Sequence, residues 1–165
     1  MNLDRKSLLI EIDARMKLGD IEVALSSDNL TLAVANLALQ RDKDVATWLG
    51  EGAPGAPDPW LDPADHLVAG LDATLPDGSV LSIRPAPRRS TGPDLVALAF
   101  GAHGRFVTIT RAWLRVHRRD IPRPTTEPFH AERNPTISPD EDALLAALER
   151  ELAPNAIGVG VRKGI

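Results

Sequence analysis

The chain has no cysteine and no tyrosine among its 165 residues, and aromatic residues make up only 4% of it. The lack of cysteine excludes a disulfide framework, a zinc-thiolate site, an iron–sulfur cluster and a cysteine nucleophile. The nucleophiles and bases that remain are serine, threonine, lysine, histidine and the carboxylates. Stability therefore has to come from packing, and the sequence favours a binding protein over an enzyme.

Long hydrophobic runs are also absent. No apolar run approaches the length of a membrane span, and charge at Asp4, Arg5, Lys6 and Glu11 interrupts the apolar stretch that a secretory signal requires. We therefore expect a cytoplasmic protein without a transmembrane segment. A chain of this length that is 43% apolar is long enough for one domain with its own core.

The predicted single domain covers residues 1–165 and divides into five parts by composition. They are an acidic β-meander over 1–49, a Pro- and Gly-rich loop over 50–64, two Arg-rich hairpins over 65–120, a Pro-rich loop over 121–137, and a helix plus a terminal strand over 138–165.

Alternation of apolar and polar residues is the main secondary-structure signal. Every second residue from Ile10 to Leu18 is apolar and those between are charged, which predicts a strand with one buried face. Gly19 and Asp20 predict a turn after it, and Ser27, Asp28 and Asn29 predict another. The same reasoning predicts strands at 21–26 and 45–49, a hairpin of 66–75 with 80–84, and a hairpin of 95–100 with 106–117 that carries a bulge near Arg111.

The segment 30–40 is ambiguous because apolar residues occupy both alternating sets. A strand buried on both faces fits this pattern, and so does a helix that begins at an Asp28 cap and runs to Gly50. The β-branched Thr31 and Val34 favour the strand. An α+β fold with an additional helix at about 29–49 is the alternative.

A helix near the carboxyl end is predicted more directly. Ser138, Pro139 and Glu141 form a capping box with proline at the first helical position, and an apolar stripe of leucines follows to Leu152. The predicted fold is therefore mainly β, as a β-sandwich or partly open β-barrel of eight or nine mostly antiparallel strands, with this one amphipathic helix covering an edge.

Charge is unevenly distributed along the chain. The net charge is −8 over 1–80, +7 over 81–123 and −3 over 124–165. Arginine binds phosphate and stacks on bases, but an acidic chain with few aromatic residues makes a nucleic-acid partner unlikely. We expect instead that the basic segment meets the acidic first part, within one molecule or across a subunit contact. The candidate binding residues are Trp60, Arg88, Arg89, Arg105, Arg111, Trp113 and Arg115.

One acidic cluster in the Pro-rich loop includes a histidine. Three carboxylates and an imidazole are ligand types for a divalent cation or an acid/base pair, although their spacing matches no known ligand loop. The weak candidates are Asp58, Asp62, Asp65 and His66. We predict no cofactor from the sequence.

These observations lead to one preferred function and two alternatives. The preferred hypothesis is a non-enzymatic binding or assembly module that recognises a protein partner, or itself, through its charge-divided surface. The first alternative is a carrier of an apolar small molecule or lipid in a β-enclosed pocket. The second alternative is a metal-dependent or acid/base enzyme that uses the Asp58–His66 loop.

Overall fold

The computed structural model of the chain describes residues 1–56, 67–85, 95–121 and 143–150, apart from 145 and 149. Its elements are β1 (Asn2–Asp4), β2 (Leu9–Asp13), α1 (Leu18–Ser26), β3 (Leu30–Thr31), α2 (Leu37–Gln40), α3 (Val45–Gly50), β4 (Val68–Thr74), β5 (Val80–Ile83), a 3₁₀ helix (Leu95–Leu98), β6 (Thr108–Arg115) and β7 (His117–Arg118).

An antiparallel five-stranded sheet dominates the fold, in the order β1-β2-β6-β4-β5. The short strands β3 and β7 form a separate antiparallel pair. The mainly β prediction is therefore confirmed. The large sheet is open and does not close into a barrel, and among the described residues its partner layer consists of helices.

The core lies on one face of this sheet. Alternate residues of β2 and β6 are buried there, including Ile10, Ile12 and Leu114. Helices α1 and α3 cover them with side chains that are no more than 1% exposed, namely Leu18, Ile21, Leu25, Val45, Trp48 and Leu49. The opposite face, called the outer face below, carries the charged residues that alternate with these apolar ones.

The strand predicted for 10–18 is shorter than expected. It ends at Asp13 because the Asp13 carboxylate accepts a hydrogen bond from the backbone N–H of Arg15 at 2.9 Å, which turns the chain. The Leu18 amide then bonds to the Lys43 carbonyl at 3.0 Å, at the start of α1. The alternating pattern was right up to this turn and wrong beyond it.

The strand predicted for 21–26 is wrong, because these residues belong to α1. Leu18, Ile21 and Leu25 lie three and four positions apart, on one helix face, and all three are buried. Val23, predicted to share a strand face with Ile21 and Leu25, is 68% exposed. The turn predicted at Gly19 is wrong for the same reason, whereas the turn predicted at 27–29 is confirmed by the positive φ of Asn29.

The ambiguous segment 30–40 contains both kinds of structure. Only Leu30–Thr31 is a strand, and α2 occupies Leu37–Gln40. The strand predicted at 45–49 is wrong, since α3 begins there with the Asp44 carboxylate accepting from the Thr47 N–H at 2.7 Å. The alternative prediction, a helix at about 29–49, is correct in that α2 and α3 are helical, but the two helices are separate.

The hairpin predicted for 66–84 is confirmed as β4 and β5. Its turn has Gly78 at a φ of +84°, and the Asp77 carboxylate accepts from the Ser79 N–H at 2.8 Å. The hairpin predicted for 95–117 is wrong, because Leu95–Leu98 is a 3₁₀ helix. Strand β6 pairs instead with β2 and β4, at the centre of the sheet.

The bulge predicted near Arg111 is present. Asp72 faces Arg111 and Ala73 faces Ile109, so Thr110 is the extra residue in β6.

Part of the predicted carboxyl-terminal helix is also described, and residues 143–150 are helical where they are described. Two leucines of its stripe, Leu144 and Leu148, are 61% and 43% exposed, so the predicted covering role is not seen for them. None of the described helices is both long and apolar enough to cross a membrane.

Candidate functional site

Several sequence-predicted site residues lie outside the described residues. They are Asp58, Trp60, Asp62, Asp65, His66, Arg88 and Arg89. Their binding and metal roles therefore remain predictions. Within 1–56, 67–85, 95–121 and the described part of 143–150, no group of three or more acidic or histidine side chains is arranged to hold a metal ion.

The structure places the candidate residues of β6 on the outer face of the sheet. Arg111, Trp113 and Arg115 alternate along the strand, and the Arg111 guanidinium carbon lies 5.9 Å from the centre of the Trp113 ring. Arg105 does not join them, because it lies in the loop that precedes β6.

Arg111 is engaged with acidic residues of the same chain. Its Nη1 donates to Glu11 Oε1 at 2.9 Å, and its Nε lies 3.9 Å from Asp72 Oδ2. Asp72 also accepts from the Ser82 hydroxyl at 2.6 Å. The prediction that basic residues meet the acidic first part of the chain therefore holds within the molecule for Arg111.

Beside this group, Asp13 and Arg15 form a second ion pair. Arg15 Nε and Nη2 donate to the two carboxylate oxygens of Asp13 at 3.0 and 2.8 Å. The Arg15 side chain, and then its backbone N–H, hold the pKa of Asp13 well below its usual range. These groups border a depression of about 630 Å³ on the outer face. Each of these charged side chains has an oppositely charged side chain within 3.9 Å, and Arg111 is shared between Glu11 and Asp72.

A different cleft lies between α3 and the segment that leads into β6, and we call it the α3–β6 cleft. Two backbone hydrogen bonds position its walls: the Gly101 N–H donates to Leu49 O at 3.0 Å, and the His103 N–H donates to Gly50 O at 2.9 Å. The cleft holds about 240 Å³. Its lining residues are Ala46, Thr47, Gly50, Ala99, His103, Gly104, Val107, Thr108 and Ile109.

Glycines shape this cleft. Gly52 and Gly101 have φ angles of +85° and +73°, and a Cβ built on either would lie 3.9 Å from the Cα of the other. Gly104 has a φ of +75°, and a Cβ built there would meet no atom within 4 Å. Because side chains rarely adopt this backbone conformation, a glycine is favoured at position 104, and it leaves open space inside the cleft.

Four polar groups at the cleft have no hydrogen-bond partner among the described residues. The Gly104 N–H, the Thr47 and Thr108 hydroxyls and the His103 imidazole make no hydrogen bond there. Hydroxyl and amide donors of this kind bind phosphate oxygens and sugar hydroxyls. The cleft combines such donors with small apolar walls, which is the usual composition of a ligand site.

Sequence reasoning missed this cleft. The sequence predicts only the connection of a hairpin between 100 and 106, where Gly101 and Gly104 lie, and a Pro- and Gly-rich loop over 50–64. Each glycine segment alone is a weak signal, because glycine is common in all turns. The site is recognisable only when the two segments, which are about 50 positions apart, are seen to lie side by side. A single sequence does not show that they do.

No family model matches the chain. Over 54 residues, 33% of this chain, it is 35% identical to an uncharacterized FAD-linked oxidoreductase, YgcU, from Escherichia coli strain K12, and equally to its counterpart in strain O157:H7. That match covers 11% of each relative.

The fold resembles part of a solved enzyme structure. Alkyldihydroxyacetonephosphate synthase in two crystal forms superimposes with a TM-score of 0.57 and 18–19% sequence identity, over 72% of this chain and 21% of the enzyme. This likeness concerns the fold alone. The chain spans about a tenth of the curated relatives and about a fifth of the solved enzyme, and the comparisons give the non-enzymatic assembly hypothesis no support.

Proposed function

We propose that this chain is a cofactor-holding unit of the FAD-linked oxidoreductase kind, and that the α3–β6 cleft contacts the flavin nucleotide. The observation that carries the proposal is that Thr47, His103, Gly104 and Thr108 line one cleft. The Gly104 N–H, the two threonine hydroxyls and the His103 imidazole make no hydrogen bond to a described residue. The 35% identity to an FAD-linked oxidoreductase supports the choice of ligand.

The described residues fit one part of such a cofactor. A flavin dinucleotide contains a diphosphate and a polyhydroxylated chain, and both need hydrogen-bond donors more than they need a buried charge. The open space at Gly104 lets such a group approach the backbone closely. At about 240 Å³, however, the cleft is smaller than the roughly 300–1,000 Å³ of a pocket that encloses a whole ligand.

The chemistry divides between the cofactor and the chain. A bound flavin supplies the acceptor for a hydride or electrons. The chain's own residues bind and orient it: Gly104 donates from its backbone, Thr47 and Thr108 donate from their hydroxyls, and Ala99, Val107 and Ile109 exclude water. We assign no substrate site to the described residues.

The test is a titration of the purified chain with FAD, followed by quenching of flavin fluorescence. The variant Gly104→Asn fills the open space, and asparagine tolerates a positive φ better than other side chains do. Gly78→Asn is the matched control, because Gly78 has a φ of +84° and equally open surroundings but lies in the β4–β5 turn.

We expect saturable FAD binding by the wild-type chain and by Gly78→Asn. Binding by Gly104→Asn should be at least about tenfold weaker, which corresponds to about 1.4 kcal/mol. Equal affinity of all three proteins, or no binding by the wild-type chain, would contradict the proposal. Circular dichroism of each variant checks that the fold is retained.

A further inference from the structure

A second cavity lies on the helical side of the molecule, between α1 and α2. We call it the α1–α2 groove. It holds about 410 Å³, within the range of ligand pockets. Its apolar wall is formed by Val23, Leu37 and Ala38, and the side chains of Arg41 and Arg119 border it. None of the residues of the α3–β6 cleft lines it, so the two sites are separate.

Arg119 is held in a fixed position at this groove. Its Nη2 donates to Glu22 Oε2 at 2.9 Å and its Nε donates to Leu30 O at 2.8 Å. The Glu22 carboxylate also accepts from the Thr31 hydroxyl and from the Leu32 N–H, so its acceptor capacity is used within the protein. The Nη1 group of Arg119 makes no hydrogen bond to any described residue.

Arg41 is a second cation at the groove. Its backbone carbonyl accepts from the Gly19 N–H at 2.9 Å, which fixes the chain against the start of α1. A Cβ at position 19 would lie 3.1 Å from that carbonyl oxygen, so glycine there permits this approach. The Arg41 guanidinium has no ion pair or hydrogen bond with a described residue. With Glu22 counted, the groove carries a net charge of +1.

These features require a ligand with an apolar part and an anionic part. Val23 is 68% exposed although it is apolar, and an alkyl chain of a ligand lying along it would remove that surface from water. Guanidinium groups bind carboxylates through two parallel hydrogen bonds, and Arg41 and Arg119 both have donors to offer. We propose that the α1–α2 groove binds a medium-chain fatty acid, with the carboxylate at the two arginines and the acyl chain along Val23, Leu37 and Ala38.

The test compares decanoate, below the concentration at which it forms micelles, with decanol, below its solubility limit, by the amide chemical shifts of the 165-residue chain. Decanol has the same alkyl chain without the charge. Arg41→Gln removes one cation from the groove, and Arg84→Gln is its matched control, since Arg84 is exposed and directly follows β5. Val23→Asp places a carboxylate on the apolar wall. Its control is Val80→Asp, because Val80 is 74% exposed on β5.

We expect decanoate to shift the amides of Gly19, Val23 and Ala38, and to bind at least tenfold more tightly than decanol. Arg41→Gln and Val23→Asp should each weaken decanoate binding at least fivefold, while both controls bind as the wild-type chain does. Equal affinity for decanoate and decanol, shifts confined to other surfaces, or no effect of Arg41→Gln would overturn the proposal. Failure of this test leaves flavin binding at the α3–β6 cleft unaffected, because no residue is shared.

Discussion

Arg119 donates to the buried carboxylate of Glu22 at 2.9 Å, although 97 positions separate the two residues. Glu22 is 6% exposed and is the one buried charged residue among those that the structure describes. The pair joins α1 to the β3–β7 sheet, because Arg119 also bonds to Leu30 O and its N–H bonds to Asn29 O. The end of the β6–β7 segment is thereby fixed against the first helix.

Replacing Glu22 by alanine should lower the free energy of unfolding by about 2–3 kcal/mol. The substitution removes the acceptor for Arg119, Thr31 and the Leu32 N–H at once. This loss is at or below the lower end of the about 3–5 kcal/mol expected when one partner of a fully buried ion pair is removed, because the Arg119 side chain is 43% exposed. Urea unfolding measures the change. Asp20→Ala, on the exposed side of the same helix, should cost less than about 1 kcal/mol, and equal losses for the two variants would contradict this account.

Trp48 anchors α3 to the loop that follows it. Its ring is fully buried, and its Nε1 donates to Pro54 O at 3.0 Å. Trp48→Ala should destabilise the chain by about 3–5 kcal/mol, and Trp48→Phe by less, since the phenylalanine ring retains most of the packing but not the hydrogen bond. Thermal unfolding checks both values. A Trp48→Ala variant that melts like the wild-type chain would show that α3 is not packed as described.

The ion pair of Arg111 should contribute little to stability, even though it has close geometry. The Arg111 side chain is 52% exposed, and ion pairs at this exposure are screened by water and salt. Arg111→Gln should therefore change the free energy of unfolding by less than about 1 kcal/mol, with the difference shrinking at high salt. Unfolding curves at low and high salt measure it, and a large loss that persists at high salt would contradict the prediction.

The pH dependence of stability should include a contribution from Asp13. Hydrogen bonds from Arg15 lower the pKa of this carboxyl in the folded chain from 3.8, its ordinary value. A group whose pKa falls on folding stabilises the protein above its unfolded pKa, and that stabilisation is lost as the pH falls below it. Asp13→Asn should therefore flatten the loss of stability between about pH 4 and about pH 2. Urea unfolding across this range tests it, and parallel curves for variant and wild type would refute it.

Local sequence signals predicted the parts of the fold that are decided locally. The β4–β5 hairpin was predictable because Pro76, Asp77 and Gly78 fix a turn between two alternating segments. Helix α1 was not, because Ile21, Val23 and Leu25 satisfy a two-residue period, while Leu18, Ile21 and Leu25 satisfy a helical one. The choice depended on burial against the sheet, and tertiary packing overrode the local pattern.

The candidate sites were less predictable for a related reason. The uneven distribution of charge along the chain indicated that Arg111 pairs with an acidic segment, because the basic residues of the chain are concentrated in 81–123 and many of its acidic residues lie in 1–80. The α3–β6 cleft depends on Gly50 lying against Gly104, where a Cβ built on Gly50 would be 3.7 Å from the Gly104 nitrogen. The α1–α2 groove likewise depends on Arg119, which directly follows β7, lying against α1. Contacts between residues so far apart in the sequence depend on the topology of the fold, and the periodicity of the sequence does not predict them.

The most direct measurement of the central claim is the map of backbone amide shifts when FAD is added to the full-length chain. The account predicts saturable shifts centred on Thr47, Gly104 and Thr108, which line the α3–β6 cleft, and their loss in Gly104→Asn but not in Gly78→Asn. Shifts that are absent, or that centre on another surface and survive Gly104→Asn, would contradict it.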